Sequence, residues 1–156
     1  MVLPQWEKRF SINHTQMDAE HQELFHLASK VLKINPQTST KEDVRLLFGA
    51  FFRYMSEHFK AEEAYMESIE YPRLDEHRKL HESIIEEITK ILKTQHTILG
   101  LKEAMLQATK HWLVDHIMQH DKKIELLQKD YSLQKRREEM EKKEQIELWH
   151  DEGMTE

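Results

Sequence analysis

The sequence predicts an all-α protein, an up-down-up-down antiparallel four-helix bundle with an N-terminal arm and a C-terminal helical extension. Three observations carry this prediction. Only three glycines and three prolines punctuate the 156 residues, too few for a turn-rich β fold, while Glu, Lys, Leu, Gln, Met and Ala, all good helix formers, are abundant. Breaks are confined to "NPQTST" (35–40), "YP" (71–72) and "QHTILG" (95–100), where proline, glycine and capping residues interrupt helices. The four segments left between the breaks each carry an apolar stripe at alternating three- and four-residue spacing, which keeps those residues on one helix face.

The segments are expected at about 18–34, 41–69, 73–94 and 101–129, after an irregular arm of some sixteen residues. Asp18 signals the first start, Thr40 with Asp43 three residues on forms a capping-box signature for the second, and Pro72 opens the third. The stripes read Met17, His21, Leu24, Ala28, Val31; then Val44, Phe48, Phe51, Met55, His58, Glu62; then Leu74, His77, His81, Ile84, Ile88, Ile91; then Leu106, Thr109, Leu113, His116, His120, Ile124, Leu127. A chain of this length supports one core. Residues 1–130 are expected to form the bundle and 131–156 a charged helical tail.

Composition excludes several functions. A formal charge of -6, with acidic residues spread along the chain, argues against nucleic acid, whose phosphates are met by clustered Lys and Arg. There is no cysteine, so disulfides, iron–sulfur clusters and thiolate chemistry are excluded and any metal must be held by nitrogen and oxygen. The opening "MVLPQWEKRF" lacks the apolar run of a signal peptide, and no stretch approaches a membrane span. The expectation is a soluble, cytoplasmic protein.

Every stripe nevertheless has polar exceptions on its core side. With helices alternating in direction, His21, His77 and His81 near the starts of their helices and His58, Glu62, His116 and Asp121 toward the ends of theirs fall roughly 5–18 Å from one end of the bundle. His58 with Glu62, and His77 with His81, are four apart, one turn up the same face. His116 and Asp121 are five apart, which suits either a carboxylate reaching a second atom or a local loosening of the helix. Five histidines and two carboxylates are too much buried charge to tolerate without a cation. Imidazole and carboxylate suit iron, zinc, copper or manganese, and seven ligands exceed one tetrahedral zinc. Two metal ions bridged by the carboxylates is the economical reading.

The ordered set "MDAEH", "HFKAE", "HRKLH" and "HWLVDHIMQHD" resembles the hemerythrin family, in particular its single-domain bacterial members, over residues 6–130. The resemblance implies two non-haem iron ions joined by an oxo or hydroxo bridge. His77, His81 and His116 would bind one iron, His21 and His58 the other, and Glu62 and Asp121 would bridge both. The second iron would have the vacant position, and dioxygen would bind there reversibly. Leu24, Phe59, Trp112, Leu113 and Ile117 flank these positions at helical spacings and would form a small dry oxygen pocket, matching positions that line it in the family; apolar walls would restrict water and protons.

The function so implied is oxygen storage, transport or delivery by a carrier that is not an enzyme. The rivals are an oxygen or redox sensor acting through a partner, and an iron-handling or peroxide-consuming enzyme. The Glu-x-x-His pairs of ferritin-like oxidases occur only as Glu23 with His26 and Glu147 with His150, outside the core stripes. His120, beside Asp121, departs from the family pattern; it could orient Asp121, replace a ligand or meet a backbone carbonyl, and the last is the expectation. His14 is expected in solvent, although it could cover the site, and His26, His96, His111 and His150 on the surface. In the tail, Leu126, Leu133 and Met140 recur every seven residues, but Glu147 breaks the series, which disfavours a stable coiled coil. The tail is read as a charged helix lying on the bundle or fraying, and Trp149 with Ile146 and Leu148 is the reason to keep a protein partner or self-association in view.

Overall fold

The computed structural model describes residues 5–152. Four rods form the bundle: α1 (Thr15–Leu32), α2 (Lys41–Ser68), α3 (Leu74–Thr94) and a long fourth run made of α4 (Ile98–Thr109), a π-helical stretch (Lys110–Asp121) and α5 (Lys122–Glu152). Each rod packs on its neighbours in order, and the fourth returns to the first, closing the antiparallel ring. No helix among the described residues is long and apolar enough to cross a membrane.

Local chemistry sets the helix ends. Thr40 and Asp43 form the expected capping box at α2. Thr97 caps the fourth run by accepting from the Gly100 amide, so that helix begins at Ile98, three residues before its expected start. Helix α1 is capped by His14, whose ring accepts from the Met17 amide and stands edge-on to Tyr65 at 4.3 Å, rather than by Asp18 or as a solvated side chain. Asp18 instead binds the arm, accepting from the Ser11 hydroxyl and, at 2.9 Å, from the Ile12 amide. Between α2 and α3 the Tyr71 amide reaches back to the Met66 carbonyl at 2.9 Å and Glu70 takes the left-handed conformation, φ 56°. This is a Schellman stop with Glu70 where glycine is usual.

The arm is more ordered than expected. Lys8–Phe10 form a 3₁₀ turn, and Phe10 and Ile12 are fully buried. Trp6 stands edge-on to Phe25 at 5.8 Å and 6.5 Å from the ring of His21. Lys122 at the start of α5 donates to the Ser11 carbonyl at 2.7 Å, and Asn13, itself at φ 54°, bonds Glu125. The arm is therefore tied to the fourth rod next to Asp121.

The core has two parts. A large cluster built on Phe10, Leu24, Phe48, Phe51, Met55, Phe59, Ile88, Met105 and Trp112 fills most of the bundle. A small one, Met66, Ile69, Tyr71 and Ile124, closes the end carrying the α2–α3 turn. The polar exceptions to the stripes lie between them. Beyond Tyr131, almost every residue of α5 is exposed, so the tail stands clear of the bundle as a single helix.

Candidate metal centre

All seven polar residues singled out in the sequence are buried, none more than 6% exposed. Helix α1 contributes His21, α2 His58 and Glu62 one turn apart, and α3 His77 and His81 one turn apart. The π-helical stretch contributes His116 and Asp121. Its i to i+5 hydrogen bonding brings residues five apart onto one face, and His116 Nε2 lies 3.1 Å from Asp121 Oδ1. The awkward spacing noted in the sequence is thus resolved by a loosened helix. The extra residue in the turn also moves His120 off the core stripe and gives its place to Asp121. His120 is half-buried, its ring 5.3 Å from that of His116 and 6.3 Å from that of His77, and no backbone carbonyl receives it among the described residues.

The seven side chains fall into two unequal sets that share both carboxylates. On one side, Glu62 Oε1 lies 2.8 Å from His77 Nε2 and 3.2 Å from His81 Nε2, and Asp121 Oδ1 lies 3.0 Å from His77 Nε2. On the other, Glu62 Oε2 lies 3.2 Å from His58 Nε2 and 3.5 Å from His21 Nε2, and Asp121 Oδ2 lies 3.2 Å from His21 Nε2. Each carboxylate offers one oxygen to each set. One set has three imidazole nitrogens and two oxygens, the other two nitrogens and two oxygens.

These donors lack adequate partners in one another. His116 Nε2 lies 3.1 Å from His77 Nε2 and 3.2 Å from His81 Nε2, and neighbouring imidazole nitrogens can share only the protons available to them. His21 Nε2, Glu62 Oε2 and Asp121 Oδ1 are buried with no well-formed hydrogen bond among the described residues, a condition costing about 1–3 kcal/mol per group. Nitrogen and oxygen donors converging in this way fit two cations of the iron, zinc, copper or manganese class.

The electrostatics agree. Burial disfavours the charged form of Glu62, yet His21, His58, His77 and His81 hold its pKa well below the usual carboxylate range. Burial and Glu62 both oppose ionisation of Asp121, yet His116 and His21 hold it far down. Burial works against protonated His21 and His77, but Asp121 and Glu62 outweigh it and raise them to about 10 and about 9. In the metal-free protein, protons on buried imidazoles balance the carboxylates, the task a metal ion would take over.

Two further carboxylates reach the outer ring nitrogens. Glu20 Oε1 lies 2.9 Å from His58 Nδ1 and Glu63 Oε1 3.3 Å from His81 Nδ1. Sequence reading passes over both because they look like ordinary surface residues of α1 and α2. Their positions, one residue before His21 and one after Glu62, are the available signal. The five residues expected around a pocket, Leu24, Phe59, Trp112, Leu113 and Ile117, are all buried in the large cluster. Phe59 lies flat on the His81 ring at 3.9 Å and 6°, and Leu24 is one turn from His21. His26, His96, His111 and His150 are exposed.

Comparison with known proteins decides the family. The family model described as the Hemerythrin HHE cation binding domain matches residues 13–125. The chain belongs to the hemerythrin family. It is 28% identical over 119 residues to a bacteriohemerythrin of Campylobacter jejuni, covering 76% of this chain and 90% of that one. It is 32% identical over 117 residues to a myohemerythrin of Theromyzon tessulatum, covering 72% of this chain and 83% of the relative. A bacteriohemerythrin of Clostridium acetobutylicum is 26% identical over 122 residues, covering 75% of this chain and 95% of the relative. Hemerythrin domains bind dioxygen at a non-haem di-iron centre and act as oxygen-binding proteins rather than enzymes.

Proposed function

We propose that this hemerythrin domain is a reversible oxygen carrier or store whose di-iron centre is held by the seven clustered residues. His77, His81 and His116 bind one iron, His21 and His58 the other, and Glu62 and Asp121 bridge them. The supporting observation is the sharing of both carboxylates between two unequal donor sets, five atoms against four. The poorer set, on the His21 and His58 side, leaves room for an exogenous ligand. When bound, the two ferrous ions supply the electron pair that dioxygen takes up and gives back on release.

The chain's own residues make that exchange reversible. Leu24, Phe59, Trp112, Leu113 and Ile117 exclude water and stray protons, which would promote loss of reduced oxygen species. Glu20 and Glu63 fix the ring orientation of His58 and His81 by accepting from their outer nitrogens. The oxygen-binding unit spans 1–130, and 131–156 is an appendage.

A second reading, sensing through a partner, is favoured by one feature: α5 begins on the residue after Asp121, so the tail is mechanically continuous with a bridging carboxylate. The test is to load the protein with iron, reduce it anaerobically, admit oxygen and then purge. A visible band that rises with oxygen and vanishes on purging, over repeated cycles, supports the carrier. One-way conversion to the oxidised form overturns it in favour of the sensor.

A further inference from the structure

At the end of the bundle opposite the metal centre, the start of α2, the end of α3 and the start of α4 enclose an open groove of about 530 Å³. Its apolar lining includes Val44, Phe48, Phe52, Ile98 and Leu101, and the charged side chains that line it, Lys41 and Arg45, are both cations, with Arg45 held at the rim by Glu42. Gly49 also lines it. A glycine inside a helix costs about 1 kcal/mol relative to alanine, and here no close approach explains it, since a Cβ at this position would meet nothing within 4 Å. What the glycine provides is depth in the groove.

At the other extreme of the chain, Ile146, Leu148 and Trp149 are 59%, 62% and 82% exposed. An indole in water is an unused contact surface of some 150–250 Å². The charged residues between 144 and 151, Glu144, Glu147 and Asp151, are all acidic. They lie on the helix face away from the indole, whose own face carries Lys142, Gln145, Ile146 and His150; the net charge of the tip is opposite in sign to the groove's cations. We propose that this apolar, acidic tail tip docks in the far-end groove of a second copy of the chain.

Geometry rules out the molecule's own groove and favours a closed pair. From Ile98 to Glu152 the fourth rod is helical without interruption, so Trp149 lies roughly 75 Å along the helix from the groove's edge at 1.5 Å per residue. The stretch from Asp121 to Trp149 spans about 42 Å, and that from Ile98 to Asp121, the length of the bundle beyond the groove, about 35 Å. In an antiparallel pair related by a two-fold axis, each tail therefore runs the length of its partner's bundle and ends at the partner's groove. The contact is made twice and the assembly closes.

The experiment is analytical ultracentrifugation of the full chain over a concentration series, with Trp149→Glu to disable the tail and Gly49→Leu to fill the groove. The Gly49 change adds side chain into open space and improves helix propensity, and both sites lie far from the iron ligands, so circular dichroism and the iron-to-protein ratio stay as in the wild type. A wild-type dimer is expected, with either variant weakening it at least about 900-fold, because each removes both symmetry-related contacts at about thirtyfold apiece. Mixing the two variants is expected to give a one-to-one complex held by a single contact, one intact tail in one intact groove, tighter than either variant's own dimer and weaker than the wild-type dimer. A monomeric wild type overturns the proposal. So does a dimer that Trp149→Glu abolishes and Gly49→Leu leaves alone, which indicates tail-to-tail pairing. A mass series growing without limit overturns the closed pair in favour of an open chain.

Discussion

Replacing Glu20 by alanine is expected to weaken the His58 side of the metal centre about ten- to a hundredfold, the usual effect of removing a group that orients a metal-bound histidine. The structure ranks this against the equivalent change at Glu63. Glu20 Oε1 is 2.9 Å from His58 Nδ1, whereas Glu63 Oε1 is 3.3 Å from His81 Nδ1. The two carboxylates are similarly exposed, 18% and 21%, so screening does not separate them and distance does. Glu63→Ala should then fall near the tenfold end. A factor of ten to a hundred is about 1.4–2.7 kcal/mol. Because the metal binds the folded state, the loaded protein should lose the same amount of stability, or about 3–11 °C in Tm for a chain of this size. Glu20→Gln, which keeps an acceptor but removes the charge, should lie between alanine and wild type. The assay is competitive chelation of iron-loaded protein, reading iron per chain alongside the melting temperature. For Glu20→Ala, iron should leave in two steps, the weaker site first. Unchanged iron retention in Glu20→Ala, or a larger loss in Glu63→Ala, would refute the reasoning.

Other consequences can be checked on the same material. Thr109 is 1% exposed and its hydroxyl has no partner among the described residues, so the near-isosteric Thr109→Val should stabilise the protein by about 1–3 kcal/mol in urea unfolding; destabilisation would mean the hydroxyl is satisfied in solution. Phe59→Ala removes a ring that is 3% exposed and stacked on His81; it should cost about 3–5 kcal/mol and speed irreversible oxidation of the reduced protein, and an unchanged oxidation rate would remove Phe59 from the pocket wall. The metal-free protein should show a pH dependence of definite sign. Raised His21 and His77 stabilise fully below their ordinary value of 6.5, and that contribution is lost as pH rises through about 9 and 10. Depressed Glu62 and Asp121 stabilise above their ordinary values of 4.5 and 3.8 and lose that contribution as pH falls. Urea midpoints of metal-free protein should peak between about pH 4.5 and 6.5 and decline toward 9, and a midpoint rising over pH 6.5–9 would contradict this.

The bundle is legible because its stripes are strong and its breaks few. Thr40 with Asp43 marks α2 correctly, since a capping box is a purely local arrangement. The start of α1 is not legible in the same way, because Asp18 has the chemistry of a cap while its carboxylate is committed to Ser11 and Ile12, a contact no local pattern reveals. The arm's burial is hidden for a similar reason. Phe10 and Ile12 belong to no periodic stripe, and only the assembled bundle offers them a place. The convergence of His21, His58, Glu62, His77, His81, His116 and Asp121 follows from helix rise and alternating direction alone. Their division into two sets does not, and enters the sequence reading through the family resemblance. His120 shows the limit of α-helical counting. A stripe extrapolated at three-four spacing assigns it to the core, and one π-helical stretch gives that position to Asp121.

The most direct test of the di-iron assignment is anomalous diffraction at the iron edge from crystals of the iron-loaded protein. Two peaks are predicted, one among His77, His81 and His116 and one between His21 and His58, with Glu62 and Asp121 each contributing one oxygen to both. A single peak, or a pair with His120 in place of any of the five histidines, would contradict it.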